Sequence, residues 1–317
     1  MDALLIINMA IFAILFPLFA MEAGAAGLYL LDYAKYKKIL TNYIGLTWEI
    51  SGTFLVFFLV DFEATFPKML PILGTIYLAP ILLGSAFVIF RNAFLVYSEY
   101  ASKSSIQKSE AKVYAFSTIT AAFFFISIMS STVTGTGVDL NTQSLDLPII
   151  LLNPYSIAIF IGLAAISLLC VLVFFDIYTN GYFIVAVPVA TFSFLYALPA
   201  VPYLFNSAIT DLWYLNIPPA ILFMSMIVLH TKRSKLAKLF VFPWLAMSSV
   251  IFQLLEYPFL FGGAVNIADY LPSQASSSYI APLTIIGAAI LLIGLAVLLY
   301  ARNLSNKKKH VGYRNYA

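Results

Sequence analysis

Nine long apolar runs, separated by short polar segments, make up most of this sequence. Each run holds about 20 residues, which is the length that an α-helix needs to cross a hydrocarbon core about 30 Å thick. The pattern predicts an all-α, polytopic integral membrane protein, with residues 1–317 forming a single membrane domain. The nine predicted transmembrane helices lie at residues 3–31, 42–67, 70–97, 113–133, 155–175, 182–205, 213–229, 239–261 and 280–300.

The composition agrees with this pattern and excludes several classes of function. The chain is 62% hydrophobic and 10% charged, with a mean hydropathy of +0.96, whereas soluble domains carry about 25% charged residues. The sequence holds no phosphate-binding glycine loop, no paired-histidine zinc pattern and no Ser-His-Asp set, so we expect no metal site. The sequence also lacks the mixture of basic and aromatic residues that would predict a nucleic-acid partner. A single cysteine, Cys170, excludes an internal disulfide and a four-cysteine iron–sulfur cluster.

The distribution of Lys and Arg predicts the orientation of the chain, because cytoplasmic segments of membrane proteins are enriched in these residues. With the N-terminus outside, Lys68 is the one basic residue among the 17 that falls in an outer segment, and Arg91 lies within a span. All the others fall in inner segments, including a basic tail at residues 302–317. We therefore predict an N-out, C-in topology in the plasma membrane.

Labelling of an introduced cysteine tests this topology. We expect the thiol of a Lys308→Cys variant to react with a membrane-impermeant reagent only after the membrane is permeabilised, because the basic tail is predicted to be cytoplasmic. Cys170, inside an apolar run, serves as the internal control. Labelling of Lys308→Cys in intact cells would contradict the topology and the depths derived from it.

Three ionisable residues lie inside the first three predicted spans. Glu49 and Arg91 are each about six residues, or about 9 Å, from the inner face, and Glu22 is about 15 Å from it. Each charge costs about 2.5–3.5 kcal/mol at the centre of a bilayer unless it is paired or hydrated. We therefore expect Glu22, Glu49 and Arg91 to form one cluster in the inner half of the membrane. This cluster is either a protonatable relay or an ion pair that only fixes helix packing.

A second group of acids lies at the opposite face. Asp61 and Glu63 end the second predicted span, and Glu256 ends the eighth. Carboxylates at the ends of spans commonly face interfacial water. We expect these three residues to be outer-face acids, with no assigned chemistry.

Several short segments resemble subunit II of the cytochrome bd-type quinol oxidases. Residues 42–49, with Asn42, Trp48 and Glu49, are similar to that family's Asn-x-Ile-Gly-x-x-Trp-Asp segment. Residues 64–67, which end in Pro67, resemble its Ala-x-Phe-Pro, and Arg91 falls where the family has the first Arg of its third helix. The resemblance is carried by residues 15–100.

Other positions depart from the family pattern and place the chain on a distant branch. Glu22 and Gly27 resemble the family's Asp-Gly-Phe-Asp-x-Gly, but Glu replaces Asp at positions 22 and 49. Ala25 stands where the family has a second Asp, and Val96 where it has an acid. A proton path through this chain would therefore contain fewer acids than in the family.

The resemblance implies two four-helix bundles and one peripheral helix, which here correspond to residues 1–137, 154–261 and 280–301. It implies a partner, subunit I, that holds the haems and oxidises quinol, while this chain holds no cofactor. It also implies that this chain supports that partner, contributes to proton uptake for the reduction of oxygen to water, and contacts quinol, lipid and small accessory subunits. Asn42, Trp48, Gly27 and Pro67 are then expected to be packing residues.

The histidines agree with a haem-free subunit. The chain has two, His230 at the end of an apolar run and His310 in the basic tail, and neither is in the middle of a span. Axial ligation of several haems requires several such side chains within the membrane. Two alternatives remain at this stage: a proton- or ion-coupled transporter, and a structural subunit of another respiratory complex.

Overall fold

The structure, a computed structural model, describes residues 3–100, 108–178, 180–197, 213–274 and 276–294. Within these ranges it does not describe the side chains of residues 38–42, 45, 46, 48, 98–100 and 180. The α-helices are α1 Ala3–Thr65, α2 Met69–Ile76, α3 Leu78–Tyr100, α4 Lys108–Thr134, α5 Leu147–Leu152, α6 Pro154–Phe174, α7 Asn180–Ala197, α8 Ile217–Thr231, α9 Val241–Glu256 and α10 Ser276–Gly294.

The first two predicted spans belong to one helical segment that is broken at a single residue. Asp32 in α1 has non-helical φ and ψ of −153° and 79°, and its Oδ1 accepts a hydrogen bond from the backbone N–H of Lys35 at 3.3 Å. Asp32 therefore acts as an N-cap for the helix that follows, in place of the non-helical linker suggested by the polar residues. We call the parts of α1 before and after Asp32 its first and second arms.

The two arms of α1 run antiparallel to one another. Asn8 near the start of the first arm donates from Nδ2 to Oδ2 of Asp61 near the end of the second, at 2.8 Å. Closer to the break, Ser51 on the second arm donates from Oγ to Oε1 of Glu22 on the first, at 2.6 Å. The pair farther from the break joins the two ends of α1, and the pair nearer to it joins residues closer in sequence. The two arms therefore form a helical hairpin.

The third predicted span is divided at its outer end. Tyr77 separates α2 from α3, and Pro80 occupies the first turn of α3, where a missing N–H is tolerated. The Tyr77 side chain is buried, and its hydroxyl donates to Oγ of Ser131 at 3.2 Å and accepts from Oγ1 of Thr132 at 3.1 Å. The break thus fixes the N-terminal end of α3 to α4.

The hairpin of α1 is central to the packing. It contacts α4, α6 and α9, while α3 packs on α4, α7 on α6, and α8 on α9. Helix α10 lies at the periphery against the second arm of α1, where Gly287 approaches the ring of Phe57. Most of its apolar side chains are exposed, among them Leu283, Ile290 and Ile293. This arrangement is typical of an all-α membrane protein in which two helical groups share a central hairpin.

Two apolar clusters mark the two ends of the molecule. One contains Tyr36 beyond the break in α1, Ala111 at the start of α4, and Ala237 in the turn between α8 and α9. We call this the lysine-rich end, because the described lysines at positions 35, 37, 108, 112, 232, 235 and 238 belong to these segments. The other cluster contains Leu5, Phe66 and Phe261 and lies at the opposite end. The basic tail at 302–317 lies outside the described residues.

The structure describes seven helices that are long and apolar enough to cross a membrane, and a shorter apolar helix at Gly181–Ala197. The second arm of α1 carries the remaining predicted span. In the segments that connect the helices, two-residue strands form two small antiparallel hairpins: β1 Val138–Asp139 with β2 Ser144–Leu145, and β3 Phe259–Leu260 with β4 Val265–Asn266. The polytopic, all-α fold is confirmed, and the count of nine spans with its orientation stays a prediction.

Candidate functional site

A buried ion pair joins the first arm of α1 to α3. Nη1 of Arg91 donates to Oε2 of Glu22 at 2.5 Å, and the two side chains are 4% and 0% exposed. The second carboxylate oxygen of Glu22 accepts the hydrogen bond from Ser51. Both oxygens of Glu22 are therefore bonded, one to a cation and one to a hydroxyl, and both side chains of the pair are buried.

A small residue on the first arm allows α1 to pack closely on α6 beside this site. The Cα of Gly24 lies so close to α6 that an added Cβ would be 2.1 Å from the carbonyl oxygen of Ser167. Small residues let another helix approach closely, and Gly24 is the position near Glu22 where this occurs. Gly27, one turn further, has no atom within 4 Å of such a Cβ. The close contact is thus specific to the turn that carries Glu22.

The structure brings Glu22 and Arg91 together and places Glu49 elsewhere. The sequence suggested that Glu49 pairs with Arg91, because the two residues are at matching depth. In the structure Glu49 is exposed, on the side of the second arm that faces away from Glu22. It lines an open groove of about 660 Å³ between the second arm of α1, α3 and α10, together with Gly52, Thr53, Asn92 and Leu291. The lining is mostly apolar, and Glu49 is its ionisable residue within the described part of the chain.

Asn92 connects the buried pair to this groove. Nε of Arg91 donates to Oδ1 of Asn92 at 3.1 Å, and Asn92 lines the same groove as Glu49. Polar groups therefore extend from Glu22 through Arg91 and Asn92 to the wall that carries Glu49. Sequence reasoning missed Asn92 and Ser51. The sequence singles them out only by position: Asn92 follows Arg91, and Ser51 is two residues after Glu49.

The outer-face acids occupy three different environments. Asp61 is buried and accepts the hydrogen bond from Asn8, with Thr284 of α10 beside its carboxylate. Glu63 is exposed, and Glu256 is partly buried at the end of α9. Only Glu63 fits the expectation of a water-facing acid, because the helical hairpin and α10 cover Asp61. The structure gives these three acids no common site.

The residues expected to pack are only partly covered by the structure. The side chains of Asn42 and Trp48 lie outside the described residues. Gly27 lies on the first arm, and Pro67 is exposed just after α1 ends. Their roles stay predictions.

The described ranges hold no cluster of side chains suited to a metal ion. No three His, Cys, Asp or Glu side chains lie close enough to hold a metal ion within the described ranges. His230 is buried between the rings of Tyr178 and Phe183, with centroids 4.8 and 5.4 Å away. Two aromatic rings stack on the imidazole, which favours a structural role at the lysine-rich end. The location of the haems in a partner stays a prediction.

Comparison with known proteins identifies the family. The chain is similar over 94% of its length to a solved structure described as bd oxidase from Geobacillus thermodenitrificans, with a TM-score of 0.74, 16% identity and 96% of that chain covered. At this identity the likeness establishes the fold. No curated protein matches the chain. The family model for cytochrome bd terminal oxidase subunit II matches residues 2–301. The chain therefore belongs to the cytochrome bd terminal oxidase subunit II family.

Proposed function

We propose that this chain is the haem-free subunit of a terminal quinol oxidase, in which it supports the haem-bearing subunit and helps deliver protons for oxygen reduction. Family membership makes it a multi-pass plasma-membrane protein of an oxidoreductase complex. The same membership sets aside the transporter and the subunit of another respiratory complex. The observation that carries the proton role is the buried pair of Glu22 and Arg91.

Arg91 makes a buried carboxylate possible at Glu22. Burying a charge in the membrane is expensive, and such residues are usually paired and functional. The guanidinium balances the charge of Glu22, while Ser51 supplies the second hydrogen bond. This leaves one carboxylate, held by two neighbours, that can accept and release a proton without large movement of its helix.

Protons that reach Glu22 need an exit toward the site of oxygen reduction. We propose that this exit is the side of the molecule formed by the second arm of α1, α3 and α10, where Asn92 and Glu49 line the groove. A carboxylate exposed to lipid at this depth would be costly, so the haem-bearing subunit is expected to cover Glu49. Apolar side chains on this side, among them Val56, Val60 and Ile290, are exposed and can pack against a helix of the partner.

This proposal predicts that Glu22→Gln lowers assembly less than Arg91→Met does, because the Gln oxygen can still accept a hydrogen bond from the guanidinium, and that the complex that does assemble turns over much more slowly. Gln retains the shape and one hydrogen-bonding oxygen but carries no ionisable proton, and loss of a proton-transfer group typically costs about 10²–10⁴ in rate. Quinol-driven oxygen consumption by the purified complex, normalised to haem content, measures the effect. We expect Glu49→Gln to give the same kind of defect.

Glu63→Gln is the matched control, since Glu63 is an exposed acid at the opposite end. It should turn over like the unmodified complex. Full oxygen consumption in an assembled Glu22→Gln complex would show that the buried pair fixes packing and carries no protons. Loss of assembly in Glu22→Gln would instead favour the packing role and require the double variant considered in the Discussion.

A further inference from the structure

Three buried tyrosine hydroxyls lie toward the lysine-rich end, and two of them are neighbours of Glu22. The hydroxyl oxygens of Tyr36, Tyr43 and Tyr114 are inaccessible to solvent and have no hydrogen-bond partner among the described residues. Thr118 lies near the Tyr114 hydroxyl. Its own hydroxyl donates to the carbonyl oxygen of Tyr114 at 2.8 Å, so toward the Tyr114 hydroxyl it could serve only as an acceptor. Buried hydroxyls are rarely left without partners, and ordered water is the usual partner where protein groups do not serve.

The three hydroxyls are arranged by depth. Tyr36 lies just beyond the break in α1, at the lysine-rich end. Tyr114 is about six residues, or about 9 Å, from the start of α4 at that same end. Glu22 lies about ten residues, or about 15 Å, from the break. Tyr43, on the second arm, is eight residues, or about 12 Å, closer to the break than Ser51, which bonds Glu22. The three tyrosines therefore lie between the lysine-rich surface and the buried carboxylate.

Two of these tyrosines are electrostatic neighbours of the ion pair. The charge of Glu22 acts on both Tyr43 and Tyr114, and the charge of Arg91 acts on Tyr114. Aromatic packing holds their rings in place. Tyr43 meets Phe175 edge-on at 5.1 Å between centroids, and Tyr114 meets Tyr29 edge-on at 6.3 Å. Their hydroxyls are thus held near the carboxylate by contacts that do not use the hydroxyl itself.

We propose that Tyr36, Tyr43 and Tyr114 hold a file of ordered water molecules that leads from the lysine-rich end to Glu22. The proposal rests on the assigned role of Glu22 in proton delivery, and it names the groups that bring protons to it. Each hydroxyl can accept a hydrogen bond from one water and donate to the next. This path runs between α1 and α4, and it reaches Glu22 without passing Glu49, which lies on the groove side.

Radiolytic hydroxyl-radical labelling of the whole complex tests the water directly, because side chains beside bound water are oxidised even when they are buried. We expect Tyr36, Tyr43 and Tyr114 to be modified. Cys170 is the dry control, since it is fully buried in an apolar cluster although its thiol is readily oxidised. Absence of modification at Tyr43 and Tyr114, to the same level as Cys170, would overturn the proposal.

Turnover of tyrosine variants tests the function of the file. We expect Tyr43→Phe and Tyr114→Phe each to slow quinol-driven oxygen consumption about fivefold, the rate equivalent of one lost hydrogen bond, with an enlarged solvent deuterium isotope effect. Tyr155→Phe is the matched control, because Tyr155 is a buried tyrosine in a different apolar cluster, with Val133 near the far end of α4. It should change neither rate nor isotope effect. Assembly, followed by haem content, should be unchanged in all three variants.

The two measurements separate this proposal from the role of Glu22. Low turnover in Glu22→Gln together with normal turnover in both tyrosine variants overturns the water file and retains proton delivery through Glu22. Normal turnover in Glu22→Gln overturns the relay, and labelling of the tyrosines would then show hydration without proton transfer. A rate loss in Tyr114→Phe without a change in isotope effect would indicate a structural role and contradict the file.

Discussion

Replacing Arg91 with Met is expected to prevent the complex from assembling. Met retains much of the apolar length of the arginine side chain but leaves the fully buried Glu22 without a counter-charge. Breaking a buried ion pair by removing one partner costs about 3–5 kcal/mol, which is a large share of the roughly 5–15 kcal/mol that typically stabilises a folded protein. Co-purification of this chain with haem absorbance from membranes measures assembly.

A second substitution separates charge from packing at this site. In the double variant Glu22→Gln, Arg91→Met, neither ion is left alone, and Gln can still accept the hydrogen bond from Ser51. We expect this double variant to recover much of the assembly lost in Arg91→Met. We also expect it to remain slow in oxygen consumption, because it has no protonatable group at position 22.

Arg233→Met is the matched control for the single substitution. Arg233 lies exposed in the turn after α8, with its guanidinium carbon 5.7 Å from the centroid of the Tyr178 ring. Removing it should leave assembly unchanged, since exposed cation–aromatic contacts contribute only about 0.5–1 kcal/mol. Normal assembly of Arg91→Met would show that Glu22 is neutral or otherwise compensated. It would contradict the claim that the complex needs this ion pair to assemble.

The sequence was sufficient to predict the class of fold and the two charges of the pair. Apolar runs report span length directly, because the thickness of the bilayer sets the number of residues needed. Glu22 and Arg91 stood out since ionisable residues inside spans are rare. Depth along the helix followed from the rise per residue, and it placed Glu22, Glu49 and Arg91 in the same half of the membrane.

The sequence could not tell which carboxylate pairs with Arg91, because depth does not fix the direction in which a side chain points. Ser51 and Glu49 are two residues apart on the second arm, so they lie about 200° apart around the helix axis. Ser51 faces inward to Glu22, which turns Glu49 outward to the groove. Without a neighbouring helix to set its rotation, either face of this arm could have been the buried one.

The sequence also failed to show that the link between the two arms of α1 is helical. Residues 32–41 contain Asp, Lys, Tyr and Thr, a mixture that suggested a polar loop. They also contain no Gly or Pro, and Lys, Leu and Ala are good helix formers. Local helix propensity therefore prevailed over polarity, with Asp32 as the single break.

The Gly24→Ala variant is also expected to fail to assemble into the complex, because of the close contact of Gly24 with α6. The added methyl carbon would lie 2.1 Å from the carbonyl oxygen of Ser167 and 2.6 Å from Cγ2 of Val171, where nonpolar contacts prefer about 3.5–4.0 Å. Overpacking a core commonly costs about 1–3 kcal/mol. Here the obstacle is a backbone atom of α6, which cannot rotate away as a side chain can, so the cost should reach or exceed that range.

Gly27→Ala provides a matched comparison on the same arm, three residues away. Its added methyl has no atom within 4 Å, and Ala favours a helix over Gly by about 1 kcal/mol, so this variant should assemble at least as well as the unmodified chain. The yield of haem-containing complex and its thermal stability in detergent measure both variants. Because Gly24 lies two residues from Glu22, separation of α1 from α6 would also disturb the ion pair and the contact with Ser51. Equal behaviour of Gly24→Ala and Gly27→Ala would therefore contradict the packing of α1 on α6 and the position of the buried site that depends on it.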